Sequence, residues 1–429
     1  MQQKILVFLF VILPASLWAQ DSLSLAEAIA FSLDNNYGIR IADMRTNVAA
    51  AQNTWGNAGA LPRLDLNVSG RYFQSGNPAS FLRSNQSVSP GLSLSWTVFD
   101  GFAMFANKTR LELLEDQSLG NAAVIVENNI QGIMVAYYDA LVAQEGVTVL
   151  KEVLENSKER LEYEEFRLEL GSTSTFDLLQ FKNAVIVDST NLVTQELNLL
   201  NAIRTLNQLM NAPIGNTYVL SDSLNADFDQ YDVEDLRNSM IADNNNLRNQ
   251  YMTQQIREQE TRAAQALYYP SLSINAGANY AVGQAGLADG STRSVKAGDF
   301  SVGFTLSFNL FNGFNTQRQV EVANLNEKIT ELETRDLERS LENELFVVHD
   351  NYDARRRLLD LQSQNVENAR LNLELANDRF QSGLINSFDF RQIQLQYLNA
   401  QLERLRALRN LNASETDLIR LTGGLVREG

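Results

Sequence analysis

Apolar residues recur along this chain with two periods, and each period is used twice. Leu64, Leu66, Val68 and Tyr72 alternate with Asp65, Asn67, Ser69 and Arg71, the period-two pattern of a strand. A second alternating run spans 92–99, with Leu94, Trp96 and Val98 on one face and Ser95 and Thr97 on the other. Together they predict a β-hairpin over 64–99 with a long loop at 74–90, where Ser, Asn, Gly and Pro gather. The period then changes. Residues 102–170 hold no proline, and Val126, Ile133, Ala140, Val147, Leu154, Leu161 and Leu168 form one heptad column, the seam of a coiled coil. At 1.5 Å per residue, about 70 residues make a rod of roughly 105 Å. Gly171 breaks it, and Ser174 with Asp177 three residues on opens a further helix over 174–211, with the column Leu178, Val185, Leu192, Leu199 and Leu206.

The whole order then repeats. A helix over 23–57, opened by a Ser24/Glu27 capping box and ended by Gly56, Gly59 and Pro62, is answered by one over 233–266. A second hairpin spans 272–311, a second long helix 314–382 with the column Leu345, Tyr352, Leu359, Val366, Leu373 and Phe380, and a last helix 387–422. Leu94-Ser95-Trp96-Thr97-Val98-Phe99-Asp100-Gly101-Phe102 corresponds to Leu306-Ser307-Phe308-Asn309-Leu310-Phe311-Asn312-Gly313-Phe314, and Asp100 and Asn312 are expected to cap the long helices. The tips correspond too: Gly383 to Gly171, Asn386 to Ser174, Asp389 to Asp177. The expected organisation is two structural repeats of one body, 20–210 and 233–423, joined by an Asp-, Asn- and Ser-rich connector at 211–235. Two short helices of about 34 and 36 residues match one long helix end to end. Hairpins fall at one end of the rod and glycine turns at the other.

All four strands carry bulky apolar groups on one face and Ser, Thr, Asn or Gly on the other. An antiparallel sheet with one wet face has this pattern, and so does the wall of a transmembrane barrel. Tyr72, Phe99, Tyr280 and Phe300 near the strand ends favour the barrel, as an aromatic girdle would. Four strands cannot close alone, since about eight is the smallest workable number, and open edges in lipid are costly. Oligomerisation follows from the barrel.

Composition narrows the chemistry. Residues 1–19 read as a signal peptide: Lys4, an apolar run over 5–13, and Leu17-Trp18-Ala19 before Gln20. No later segment approaches about 18 unbroken apolar residues. The absence of cysteine removes disulfides, thiolate metal sites and a cysteine nucleophile. A net charge of -17 argues against nucleic acid. The single histidine, His349, sits in a helix and is expected to pack. Asp222, Asp227, Asp229 and Asp232 in the connector read as a solvated charged run. No catalytic constellation stands out, and neither a metal nor a cofactor is expected.

In the duplicated order, in Leu61-Pro62 and Tyr269-Pro270 before the first strands, and in the junction and tip motifs, the sequence resembles the TolC-like outer-membrane efflux proteins over nearly its whole mature length. That resemblance implies a mainly α fold with β: a long coiled-coil α-helical barrel joined to a transmembrane β-barrel, 12-stranded in a homotrimer. It implies an outer-membrane location in a Gram-negative bacterium with extension into the periplasm. The implied partners are outer-membrane lipid, a periplasmic adaptor (membrane fusion) protein and an inner-membrane RND, ABC or MFS transporter. In relatives, carboxylates after the tip glycine ring the tunnel mouth. Asp177 and Asp389 occupy that position, Gln180 and Gln392 stand where some relatives place a second acid, and Phe380 and Ile385 fall where relatives carry gate partners. The tips Gly171, Ser174, Gly383 and Asn386 would dock the adaptor; Asp100, Gly101, Asn312 and Gly313 would form the strand-to-helix junctions. The bland role of both Asp residues is helix capping.

The implied function is the passive duct of a tripartite efflux or type I secretion system, not an enzyme. The rival readings are a surface coiled-coil adhesive protein and a secreted enzyme. A stalk has no need of two amphipathic hairpins at matching places. Scattered Met and a lone His weakly disfavour a copper or silver cargo.

Overall fold

A computed structural model describes residues 22–76, 82–224 and 228–425; the leader at 1–19 and Asp227 lie outside these residues. The first repeat contains β1 (Ser22–Leu23), α1 (Leu25–Asn35), α2 (Tyr37–Gln52), β2 (Arg63–Gln74), β3 (Leu82–Phe99), α3 (Ala103–Glu169) and α4 (Thr175–Met210). The second follows with β4 (Val219–Leu220), α5 (Val233–Asp243), α6 (Asn245–Gln265), β5 (Ser271–Leu287), β6 (Thr292–Ser307), α7 (Asn315–Gln381) and α8 (Ser387–Leu421). The two long helices have 67 residues each, close to the span read from the heptads.

Three expectations about elements need correction. The helices expected over 23–57 and 233–266 are each two helices, broken where Asn36 and Asn244 turn extended at ψ 126 and 116. Asparagine stops a helix readily because its amide competes for backbone groups. Asn244 does so from a buried position: its Oδ1 accepts from Leu247 N at 3.0 Å and its Nδ2 donates to Leu421 O at 3.0 Å. Second, the strands run well into the stretches read as loops. Pairing with β2 and β5 on its two sides carries β3 back to Leu82, and β5 and β6 meet in a tight turn through Gly290 at φ +82. Third, the connector acids are more than a solvated run: Asp222 and Asp232 are exposed as expected, yet Asp222 accepts from Leu25 N at 2.7 Å, and Asp232 caps α5 through Glu234 N at 2.9 Å and Asp235 N at 3.2 Å.

The chain divides into two compact units. The helical unit comprises residues up to Asn36, Asn128–Tyr231 and Val348–Leu418. Its main core joins Ile133, Tyr137, Ala140 and Leu141 of α3 to Ile203, Leu206 and Met210 of α4, with Ala28 of α1 and Leu220 of β4. The heptad columns are therefore packing residues, as their spacing predicts. β1 and β4 pair in parallel, a ladder too short to read from sequence. Side chains from the long helices hold these segments down. Tyr137 donates to Leu23 O at 2.9 Å, Gln144 brackets the Leu220 backbone at 3.0 and 3.2 Å, and Tyr352 donates to Asp229 O at 2.6 Å. His349 Nε2 lies 3.3 Å from Tyr231 O, and Tyr231 donates to Glu415 at 3.0 Å. Burial pushes the Glu415 carboxyl above the ordinary range. Among the described residues α3 is long and apolar enough to cross a membrane by composition, but 50% of that apolar window is buried within the chain.

The strand-bearing unit comprises Tyr37–Glu127, Asp232–Val347 and the residues from Ile419 on. Its sheet has the order β2-β3-β5-β6, antiparallel throughout. The register aligns Leu64, Leu94, Ala276 and Val302 in one row and Leu66, Leu92, Ala278 and Phe300 in the next. Rows of the opposite face hold Asp65, Ser93, Gly277 and Ser301, then Asn67, Gly91, Asn279 and Asp299. Among the described residues nothing covers the apolar face: Phe300 is 75% exposed and Phe304 78%, and Ala285 is the only buried apolar side chain of the four strands. Among the described residues the sheet does not rest on a core of its own.

Candidate functional site

The two helix tips are built alike. After α3, Gly171 at φ +70 reverses the chain, and Ser172 N donates back to Arg167 O at 2.9 Å. After α7, Gly383 at φ +72 does the same, with Leu384 N on Arg379 O at 2.8 Å. An added Cβ would touch nothing within 4 Å at either glycine, so positive φ, not space, requires them. Ser174 Oγ then accepts from Asp177 N at 3.2 Å, and Asn386 Oδ1 from Asp389 N at 2.8 Å, opening α4 and α8.

The two acids differ in what surrounds them. The Asp177 carboxylate accepts from the hydroxyl of Ser174 at 2.6 Å and from that of Ser387 on the other tip. These two hydroxyls, in that order, hold it below the usual carboxylate range. Asp389 is exposed, and among the described residues no side chain bonds to its carboxylate. Of the other sequence-predicted positions, Gln180 is half-buried beside Asp177 on α4, and Gln392 is exposed on the face of α8 that carries Asp389. Phe380 and Ile385 are packed away: Phe380 lies between Phe181 at 5.8 Å and Phe390 at 5.1 Å, in a cluster with Ala376 that Ile385 and Ile393 seal.

Sequence reasoning missed the polar group beneath the tips. Asp188 of α4 is fully buried, and Arg391 of α8 grips it through two nitrogens, at 2.9 and 2.5 Å. Ser157 of α3 donates to the same carboxylate at 2.6 Å, and Arg391 also donates to Gln394 Oε1 at 2.9 Å. Three helices thus meet on one carboxylate, both of whose oxygens accept. A signal existed: Asp188 continues the Phe181–Ala184 stripe at helical spacing, and a carboxylate on an apolar stripe implies a cationic partner.

At the strand-to-helix junctions the caps diverge. Asn312 Oδ1 accepts from Asn315 N at 3.0 Å, as expected of a cap. Asp100 does not cap: its Oδ1 is buried with no hydrogen-bond partner, and α3 starts after Gly101 and Phe102, both left-handed at φ +71 and +73. Gly313 and Phe314 repeat that conformation at φ +68 and +63. Phe102 meets Phe99 edge-on at 5.1 Å and Phe314 meets Phe311 at 5.3 Å. Among the described residues no cluster of His, Asp or Glu has metal-site geometry.

The profile described as "Outer membrane efflux protein" matches residues 29–212 and 236–424. Nodulation protein T of Rhizobium leguminosarum bv. viciae is 29% identical over 180 residues, which is 41% of this chain and 36% of that protein, so the matched part spans about a third of this relative. Cation efflux system protein CusC of Escherichia coli O157:H7 is 21% identical over 380 residues, 83% of this chain and 76% of that protein. In three dimensions the chain resembles the Campylobacter jejuni CmeC outer membrane channel with a TM-score of 0.78 at 16% identity, covering 93% of this chain and 85% of that one.

Proposed function

The chain belongs to the outer membrane efflux protein family, and from that premise we propose that three copies close one outer-membrane duct through which small molecules or secreted protein leave the periplasm. The observation that carries this is the uncovered sheet. Its edge strands β2 and β6 run antiparallel to each other, so a β6-to-β2 seam between copies continues the ladder without a break. Three sheets of four give twelve strands. On β5 the outward apolar positions run from Leu272 to Val282, about 34 Å along the strand and about 26 Å once tilted, the height of a membrane band.

The lumen face is then Ser, Asn, Gly and Thr with a few charges, a surface that offers a passing molecule little to adhere to. Energy would come from an inner-membrane pump of the RND, ABC or MFS class, joined through a periplasmic adaptor. The tips are the proposed docking point, because Leu170, Phe176, Leu384 and Phe388 are exposed there beside Gly171 and Gly383. Asp389 would ring the mouth. Asp177, taken up by two serines, would mainly fix the shape of the tip.

Native mass spectrometry of detergent-extracted protein, with single-channel recording on the same sample, tests this. Three chain masses and a conducting pore are expected. A water-soluble monomer without conductance would refute it.

A further inference from the structure

We infer that Asp188 and Arg391 are positioning residues for the mouth carboxylate Asp389, so that ion selectivity depends on a buried ion pair that no passing ion touches. The inference rests on the proposed duct and on the tips as its mouth. An α-helix turns 100° per residue, so side chains two apart point about 200° away from each other. Asp389 and Arg391 are such a pair. Whatever draws Arg391 inward therefore turns Asp389 outward.

Arg391 is drawn inward at a defined angle. Its guanidinium meets the fully buried Asp188 through two nitrogens, a planar contact that fixes both distance and orientation. Ser387, Phe390 and Gln394 are buried on the same face of α8, at helical spacing with Arg391. Ser387 donates to Asp177, Phe390 stacks on Phe380, and Gln394 accepts from Arg391. Aromatic rings can slide over one another; a bidentate carboxylate contact cannot without losing a bond. The ion pair is therefore the element that sets the rotation of α8 where Asp389 leaves it.

Within the first turns of α4 and α8 no other free carboxylate stands beside Asp389. Gln392, one turn on along the same face, is neutral. At the other tip both oxygens of Asp177 are engaged. Of the acids in the first turns of α4 and α8, Asp389 is the one left exposed and free of a side-chain bond, and its direction is set about 200° away.

The test compares reversal potentials in planar bilayers under a potassium chloride gradient for four proteins: native, Asp389→Asn, the pair Asp188→Leu/Arg391→Met, and all three changes together. The paired change removes both charges at once and leaves no lone buried ion. Native protein is expected to prefer potassium to chloride. Asp389→Asn and the paired change should each lower that preference about threefold or more, with the assembly mass unchanged, and the triple variant should fall no lower than Asp389→Asn alone. Arg391→Lys keeps the charge but loses the bidentate plane; it should give an intermediate preference, and it carries the test if the paired variant does not assemble. A native reversal potential in the paired variant and in Arg391→Lys, or additive losses in the triple, would overturn the inference. A native pore without cation preference would overturn it and leave the duct standing, whereas a native protein that never conducts would overturn the duct itself.

Discussion

Replacing Asp188 by Ala should be among the most damaging single changes in the helical unit. The side chain is fully buried and its two oxygens receive three donors, from Ser157 at 2.6 Å and Arg391 at 2.9 and 2.5 Å. Alanine leaves the guanidinium, whose side chain is 18% exposed, with only Ser157 and Gln394 near it. Stranding one member of a buried pair costs about 3 to 5 kcal/mol. Replacing both members by apolar residues of similar volume removes the desolvation cost along with the attraction, so Asp188→Leu/Arg391→Met should lie within about 1 kcal/mol of native. The ordering, with the double variant more stable than the single one, is the diagnostic. Urea unfolding in a fixed detergent, followed by the far-ultraviolet circular dichroism of this largely helical chain, measures it. The reasoning fails if Asp188→Ala costs less than about 1 kcal/mol, or if the double variant is as unstable as the single.

Three further outcomes are expected. Gly101→Ala and Gly313→Ala should differ although the residues correspond: both incur about 1 to 2 kcal/mol for a left-handed non-glycine. At Gly101 the new Cβ would also lie 2.4 Å from Ala266 O, against nothing within 4 Å at Gly313. That crowding should add about 1 to 3 kcal/mol in the same unfolding assay. On β6, Val302→Arg should impair folding into lipid vesicles by about 2 to 4 kcal/mol, whereas Ser301→Arg, on the opposite face, should fold normally and reduce potassium current. For Ser387→Ala the sign depends on pH. Asp177 is held below its ordinary value, so its bonds stabilise fully above the ordinary carboxylate range and fade as pH falls through the depressed value. The variant should melt lower than native at neutral pH and converge with it once the pH falls below the depressed value, and a gap that persists after Asp177 is protonated would contradict this.

The tips show what one chain of letters can and cannot specify. Gly171, Ser174, Gly383 and Asn386 announce their turns because a left-handed glycine and a short capping side chain act within a few residues of backbone. The unequal fates of Asp177 and Asp389 were not readable. Corresponding positions in the repeats carry the same acid, but a serine 210 residues away in sequence occupies only one of them. The same holds at the junctions, where Asn312 caps and Asp100 does not.

By itself the sequence determined whatever depends on period and neighbourhood: the duplicated order, the two long helices to within a residue or two, the alternating strands and their apolar face. These follow from local geometry, since a strand exposes every second residue and a coiled coil every third or fourth. Only the tertiary structure decided which polar groups meet. The amide anchors of Asn36 on Leu209 O and of Asn244 on Leu421 O, the extension of β3 to Leu82 by pairing with β5, and the buried pair of Asp188 and Arg391 all come from residues distant in the chain. A charge on a helix reads as solvated until another helix is packed against it.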